Sequence, residues 1–83
     1  MPLICEFSGM KIYMYYHDHY PPHFHVRGSN HAVVDFSGRV IAGHLPPQAM
    51  NKLTSWVEMH KLELEDNWKK AQEGQRLSNI QPL

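Results

Sequence analysis

The pair Pro46-Pro47 divides this chain into two stretches of different periodicity. Consecutive prolines cannot sit inside a helix or a central strand, because each lacks an N–H and holds φ at roughly −65°. They do suit a helix start, where a missing donor costs little. Beyond them Met50, Leu53, Val57, His60, Leu64, Trp68 and Ala71 recur at helical spacing and form one stripe. Gly74 is the expected C-cap. The stripe fits one long helix or two consecutive helices broken near His60. Residues 75–83 read as loop, with Ile80 and Leu83 expected to pack back onto the body.

Before the prolines, short strands alternate with turns. Leu3–Phe7 is a brief apolar run and Ser8-Gly9 a turn. Residues 11–16 alternate, with Ile12, Met14 and Tyr16 on one face and Lys11, Tyr13 and Tyr15 on the other. Pro21-Pro22 makes residues 17–22 a connecting loop. His23–Arg27 returns to extended structure, Gly28-Ser29-Asn30 turns the chain, and residues 32–36 and 39–42 flank a tight hairpin at Ser37-Gly38. Strands followed by helix predict an α+β fold: a small antiparallel sheet of four or five short strands packed against one long or two consecutive C-terminal helices. The 83 residues are expected to form a single domain, 1–83, near the lower size limit for one core.

Charge narrows the function. Eight basic and eight acidic side chains cancel, and they cancel locally too. Binding driven mainly by phosphate neutralisation needs a basic excess, so a general nucleic-acid coat is disfavoured and only a local site remains open. The lone Cys5 cannot form an internal disulfide, and it is expected to be a buried, inert thiol. The absence of a long apolar run or a signal-peptide pattern makes the cytoplasm the expected location, with no membrane partner.

Histidine is the compositional anomaly, and the run from His17 to His25 concentrates it. Extended structure over His23–Arg27 puts His23, His25 and Arg27 on one face and Phe24 and Val26 on the other. Imidazoles two apart on a strand can converge on one metal ion, with His19 or Asp18 as third ligand from the preceding loop. Two or three histidines with a carboxylate suit Zn, Mn, Ni or Fe(II) and leave a coordination position open. Without a metal, Asp18, His19, His23 and His25 offer acid–base chemistry for phosphodiester cleavage. Arg27 or Lys11 would then hold a phosphate, and Tyr13, Tyr15, Tyr16 and Tyr20 offer stacking surfaces for RNA bases. The plainer alternative is that these histidines hydrogen-bond backbone carbonyls and fix the shape of their own loop.

Elsewhere His31 and His44 read as surface residues, and His60 as a core histidine with one satisfied nitrogen. Trp56 and Trp68 read as core. Met59 and Leu62 fall on the charged side of an uninterrupted helix, where they would offer a partner or homodimer contact.

Two stretches resemble the Domain of Unknown Function 4160 family: Pro2-Leu3-Ile4-Cys5-Glu6-Phe7-Ser8-Gly9 and Asp18-His19-Tyr20-Pro21-Pro22-His23-Phe24-His25. The segments Trp56-Val57-Glu58-Met59-His60, Asn67-Trp68 and Ile80-Gln81-Pro82-Leu83 are similar to the family as well. The turn around residues 28–31 is shorter than in many relatives. The resemblance implies a small bacterial protein with a small cognate protein partner, in an arrangement like a toxin–antitoxin pair; it implies no particular reaction. The leading expectation is therefore the toxin-like component of such a module, acting through the His/Asp cluster, with RNA as candidate substrate. The alternative is a non-catalytic regulatory or metal-binding module.

Overall fold

Five strands form an antiparallel meander in which each pairs with its sequence neighbours: β1 (Leu3–Phe7), β2 (Met10–Tyr13), β3 (His23–Arg27), β4 (His31–Asp35) and β5 (Val40–Gly43). Helices α1 (Pro47–Met59) and α2 (Lys61–Gln72) follow. This is the α+β arrangement expected from the pattern, seen here in a computed structural model that describes residues 2–83.

Period-two alternation decides which sheet face is covered. Ile12, Phe24, Val26, Ala32 and Val34 point into the core, where they meet Leu53, Trp56, Val57, Leu64 and Ala71 from the helices. Trp56 is fully buried, with its ring 5.7 Å from Phe7 and 5.8 Å edge-on to Phe24. Its indole N–H donates to the Gln81 carbonyl at 2.9 Å, so the polar edge of the largest core residue is satisfied by the C-terminal segment.

The helical stretch is two helices. His60 leaves helical geometry at φ −120°, ψ 25°, capping α1 and opening α2 with neither glycine nor proline. The apolar stripe crosses the break because His60 stays on the covered face, its Nδ1 2.6 Å from Glu63 Oε1 and its Nε2 buried without a partner. Met59 and Leu62, on either side of the break, are 66% and 80% exposed. At the end of α2 Gly74 adopts φ +70°, and its N–H meets the Ala71 carbonyl while Gln75 N–H meets the Lys70 carbonyl. That pair of bonds is the Schellman arrangement, which satisfies carbonyls the helix leaves open.

Several boundaries differ from expectation. β2 stops at Tyr13; Met14 remains buried, but Tyr16 is exposed rather than sharing its face. β4 and β5 are displaced by a residue, because Arg27↔His31 pairing carries the β3–β4 hairpin closer to its turn. Ile80 packs back, with its N–H on the Ile4 carbonyl, whereas Leu83 is half exposed. Asn67 was not expected in the core; its side chain bonds both Ser78 N–H and Ser78 C=O and so ties the C-terminal segment to α2. Among the described residues no helix is long and apolar enough to cross a membrane.

Candidate metal centre

β3 brings His23 and His25 to the sheet face opposite the Phe24 and Val26 core contacts, and the 17–22 loop folds over them. His17 opens that loop at φ +55°, a left-handed conformation uncommon for a residue with a side chain. Its N–H donates to the Ala71 carbonyl at 3.2 Å, and Gln72 Nε2 donates to the Asp18 carbonyl at 3.0 Å. His17 is therefore tied at its backbone. The C-terminal end of α2 thus fixes where the loop starts, and Asp18 turns its carboxylate inward. Tyr20–Pro21 is a cis peptide.

Asp18 Oδ2 lies 2.8 Å from His23 Nε2 and 3.4 Å from His25 Nε2. Its Oδ1 accepts the His19 backbone N–H at 2.9 Å and faces His19 Nδ1 at 3.1 Å. The donor atoms of Asp18, His23 and His25 all lie within 4.8 Å of one another and form a group able to hold a metal ion. Two donors each ~2.1 Å from one ion stand about 3.0 Å apart at a right angle and about 3.4 Å apart at the tetrahedral angle. The two Asp18 separations fall close to that range, and the His23 and His25 donors stand no more than 4.8 Å apart.

His23 adds a chemical constraint. Its Nδ1 sits 2.6 Å from the Pro21 carbonyl, which can only accept, so Nδ1 carries a hydrogen. Its Nε2 then faces a carboxylate oxygen. That edge needs a positive charge in the contact, either a second proton or a cation. A ring that donates one N–H to a carbonyl while its other nitrogen is turned to the site is the usual orientation of a metal-binding histidine.

Burial alone would raise the Asp18 carboxyl, but hydrogen bonds from His19 N–H and His25 and the nearby His23 outweigh it and hold the group below the usual range. Burial lowers His25, and His23 and Arg27 add to that against the opposing pull of Asp18, so its imidazole keeps its neutral form to lower pH than a free one. Both shifts favour the protonation states a ligand set needs.

The six residues singled out from the sequence have different surroundings. Asp18, His23 and His25 meet. His19 is 86% exposed at the rim, on the other carboxylate oxygen. Lys11 and Arg27 are cross-strand partners on β2 and β3, with the Arg27 guanidinium 5.7 Å from the Tyr13 ring centroid. The residues that support the cluster had been read in other roles or passed over. Trp68 packs on His23 at 5.4 Å, Tyr15 stands edge-on to His25 at 4.4 Å, and Gln72 anchors the loop. Trp68 had been read as core and Tyr15 as a stacking surface; only Gln72 left no trace.

The family model described as "Domain of unknown function (DUF4160)" matches residues 9–69 of the chain. That span includes the whole Asp18–His25 cluster. No curated protein and no solved structure matches.

Proposed function

The chain belongs to this family of unknown function, and we propose that Asp18, His23 and His25 form a divalent transition-metal centre through which it acts on phosphodiesters, as the toxin-like component of a toxin–antitoxin module with RNA as substrate. The observation that carries the metal is the Nε2 edge of His23: its Nδ1 hydrogen is committed to Pro21, and a carboxylate stands 2.8 Å from the other nitrogen. Zn, Mn, Ni or Fe(II) fits two imidazoles and a carboxylate. Bound there, such an ion supplies Lewis-acid polarisation of a phosphoryl oxygen.

The chain's own residues do the rest. Asp18 stays anionic and holds both imidazoles. His25, partly exposed and favouring its neutral form, serves as ligand or proton acceptor beside the substrate. His19, exposed at the rim with its Nδ1 3.1 Å from Asp18 Oδ1, stands in as a further ligand or catalytic group. Lys11 and Arg27 hold the substrate's phosphates. In this view the protein works as one domain in the cytoplasm, beside a small cognate protein partner; Met59 and Leu62 offer that partner, or a second copy, an apolar contact.

Induced expression in a bacterial host tests this function. Growth arrest that disappears in Asp18→Ala and His25→Ala, with both variants folded, is expected; arrest that persists in the folded variants contradicts it. A second reading has its own support, because His23 is only 4% exposed. So enclosed a ligand suits a non-catalytic metal-binding module, which would give stoichiometric metal and no growth arrest.

A further inference from the structure

Next to the cluster the uncovered sheet face carries a second set of groups that form no ion pairs among the described residues. Arg27 on β3 stands opposite His31 on β4, both exposed, with Lys11 opposite Arg27 on the other side. A shallow concavity of about 250 Å³ opens between the strands, lined by His25, Arg27, His31, Val33, Ala42 and Gly43. Among the described residues no carboxylate lines it, and neither Arg27 nor His31 makes an ion pair. Glu58, Glu63, Glu65, Asp66 and Glu73 lie on or beside the helices, where Lys52, Lys61, Lys69, Lys70 and Arg76 balance them. On the face itself Glu6 stands opposite Lys11 and Asp35 opposite His23, and neither lines the concavity.

We propose that the Arg27–His31 concavity is a phosphate subsite for single-stranded nucleic acid, holding the phosphodiester next to the one at the metal centre. The subsite rests on the function proposed above and narrows its substrate to a single strand. His25 belongs to both sites, and Arg27 follows it on the same face by ~6.6 Å along the strand. That is comparable with the separation of successive phosphates in an extended single strand. Arg27 presents a planar fork of donors to a phosphate, and His31 closes the opposite wall. Tyr13, beside His25 in register and beneath the guanidinium, offers an aromatic surface on which a base can stack. A duplex would present its bases edge-on inside grooves and leave that ring unused.

Fluorescence anisotropy with a short fluorescein-labelled single-stranded RNA of mixed sequence tests the subsite, using metal-stripped and zinc-loaded protein. Arg27→Gln and His31→Ala are each expected to weaken binding about tenfold. Arg27→Gln should also lower the salt dependence by about one ion. Lys52→Ala, on the exposed side of α1, is expected to bind as wild type. Zinc affinity by calorimetry should be unchanged in both cleft variants. Equal binding of wild type and the cleft variants overturns the subsite, as does equal binding of the matching duplex, or competition by inorganic phosphate with no saturable RNA binding. Failure of the metal centre reads differently: zinc does not bind at all, while the metal-stripped protein still takes RNA in an Arg27-dependent way.

Discussion

Gln72, at the last turn of α2, donates its side-chain N–H to the main-chain carbonyl of Asp18 at 3.0 Å, across 54 residues of sequence. The bond ties the carboxylate's backbone to the rigid end of a helix whose other face is core. Gln72→Ala removes that tether without touching a ligand atom. It is expected to lower zinc affinity by about tenfold, in the range seen for supporting groups around metal ligands, with circular dichroism unchanged. Unaltered affinity would mean that the His17 bond to Ala71 holds the loop by itself.

Trp56 unites sheet, helix and C-terminal segment through Phe7, Phe24 and the Gln81 carbonyl. Truncation leaves a cavity and strands that carbonyl. Trp56→Ala should cost about 3–5 kcal/mol in urea denaturation, a large part of what a chain of this size has to lose. A cost under about 1 kcal/mol would show that the core collapses around the gap.

Gly43 ends β5 at φ +78°, and a Cβ placed there would run into the His31 carbonyl. Gly43→Ala must therefore move the backbone out of the left-handed region and push β4 away. A loss of more than about 1 kcal/mol is expected. Because Gly43 and His31 line the same concavity, RNA binding should weaken with it.

Asp35 organises the β4–β5 turn: Oδ1 accepts from Ser37 N–H, Ser37 Oγ–H and Arg39 N–H. Burial pushes its carboxyl up, but those bonds and the Arg39 charge push it down further, to a net value below the usual range. A folded-state value below the unfolded one means a contribution that is complete above the unfolded pKa of ~3.9 and lost as pH falls through the folded one. Stability of the wild type should decline on acidification below about pH 4, and Asp35→Ala should flatten that limb while lowering stability at neutral pH. An NMR titration midpoint for Asp35 at or above the free value would contradict this.

What the sequence revealed, and what it hid, follows from the range of the interactions involved. Strands, turns and the helix start at Pro47 depend on local chemistry: alternation, glycine turns and proline's missing donor. The face shared by His23, His25 and Arg27 was readable for the same reason. A break near His60 was one of two readings the sequence left open, because the apolar stripe runs through it and packing decides the departure. Asn67 resembled an ordinary polar helix residue, since its partner, Ser78, belongs to a segment without periodicity. The choice between Asp18 and His19 as the group facing both Nε2 atoms depended on the positive φ of His17 and on the bonds from Ala71 and Gln72. No pattern within the loop encodes contacts to a helix more than fifty residues away.

The most direct test of the metal centre is calorimetric titration of untagged, metal-stripped protein with zinc. One equivalent of saturable binding is expected, lost in Asp18→Ala and His25→Ala variants that keep the wild-type fold. Absence of saturable binding in the wild type, or an equivalent retained in both variants, would contradict the assignment and leave the cluster as a hydrogen-bonded brace for its own loop.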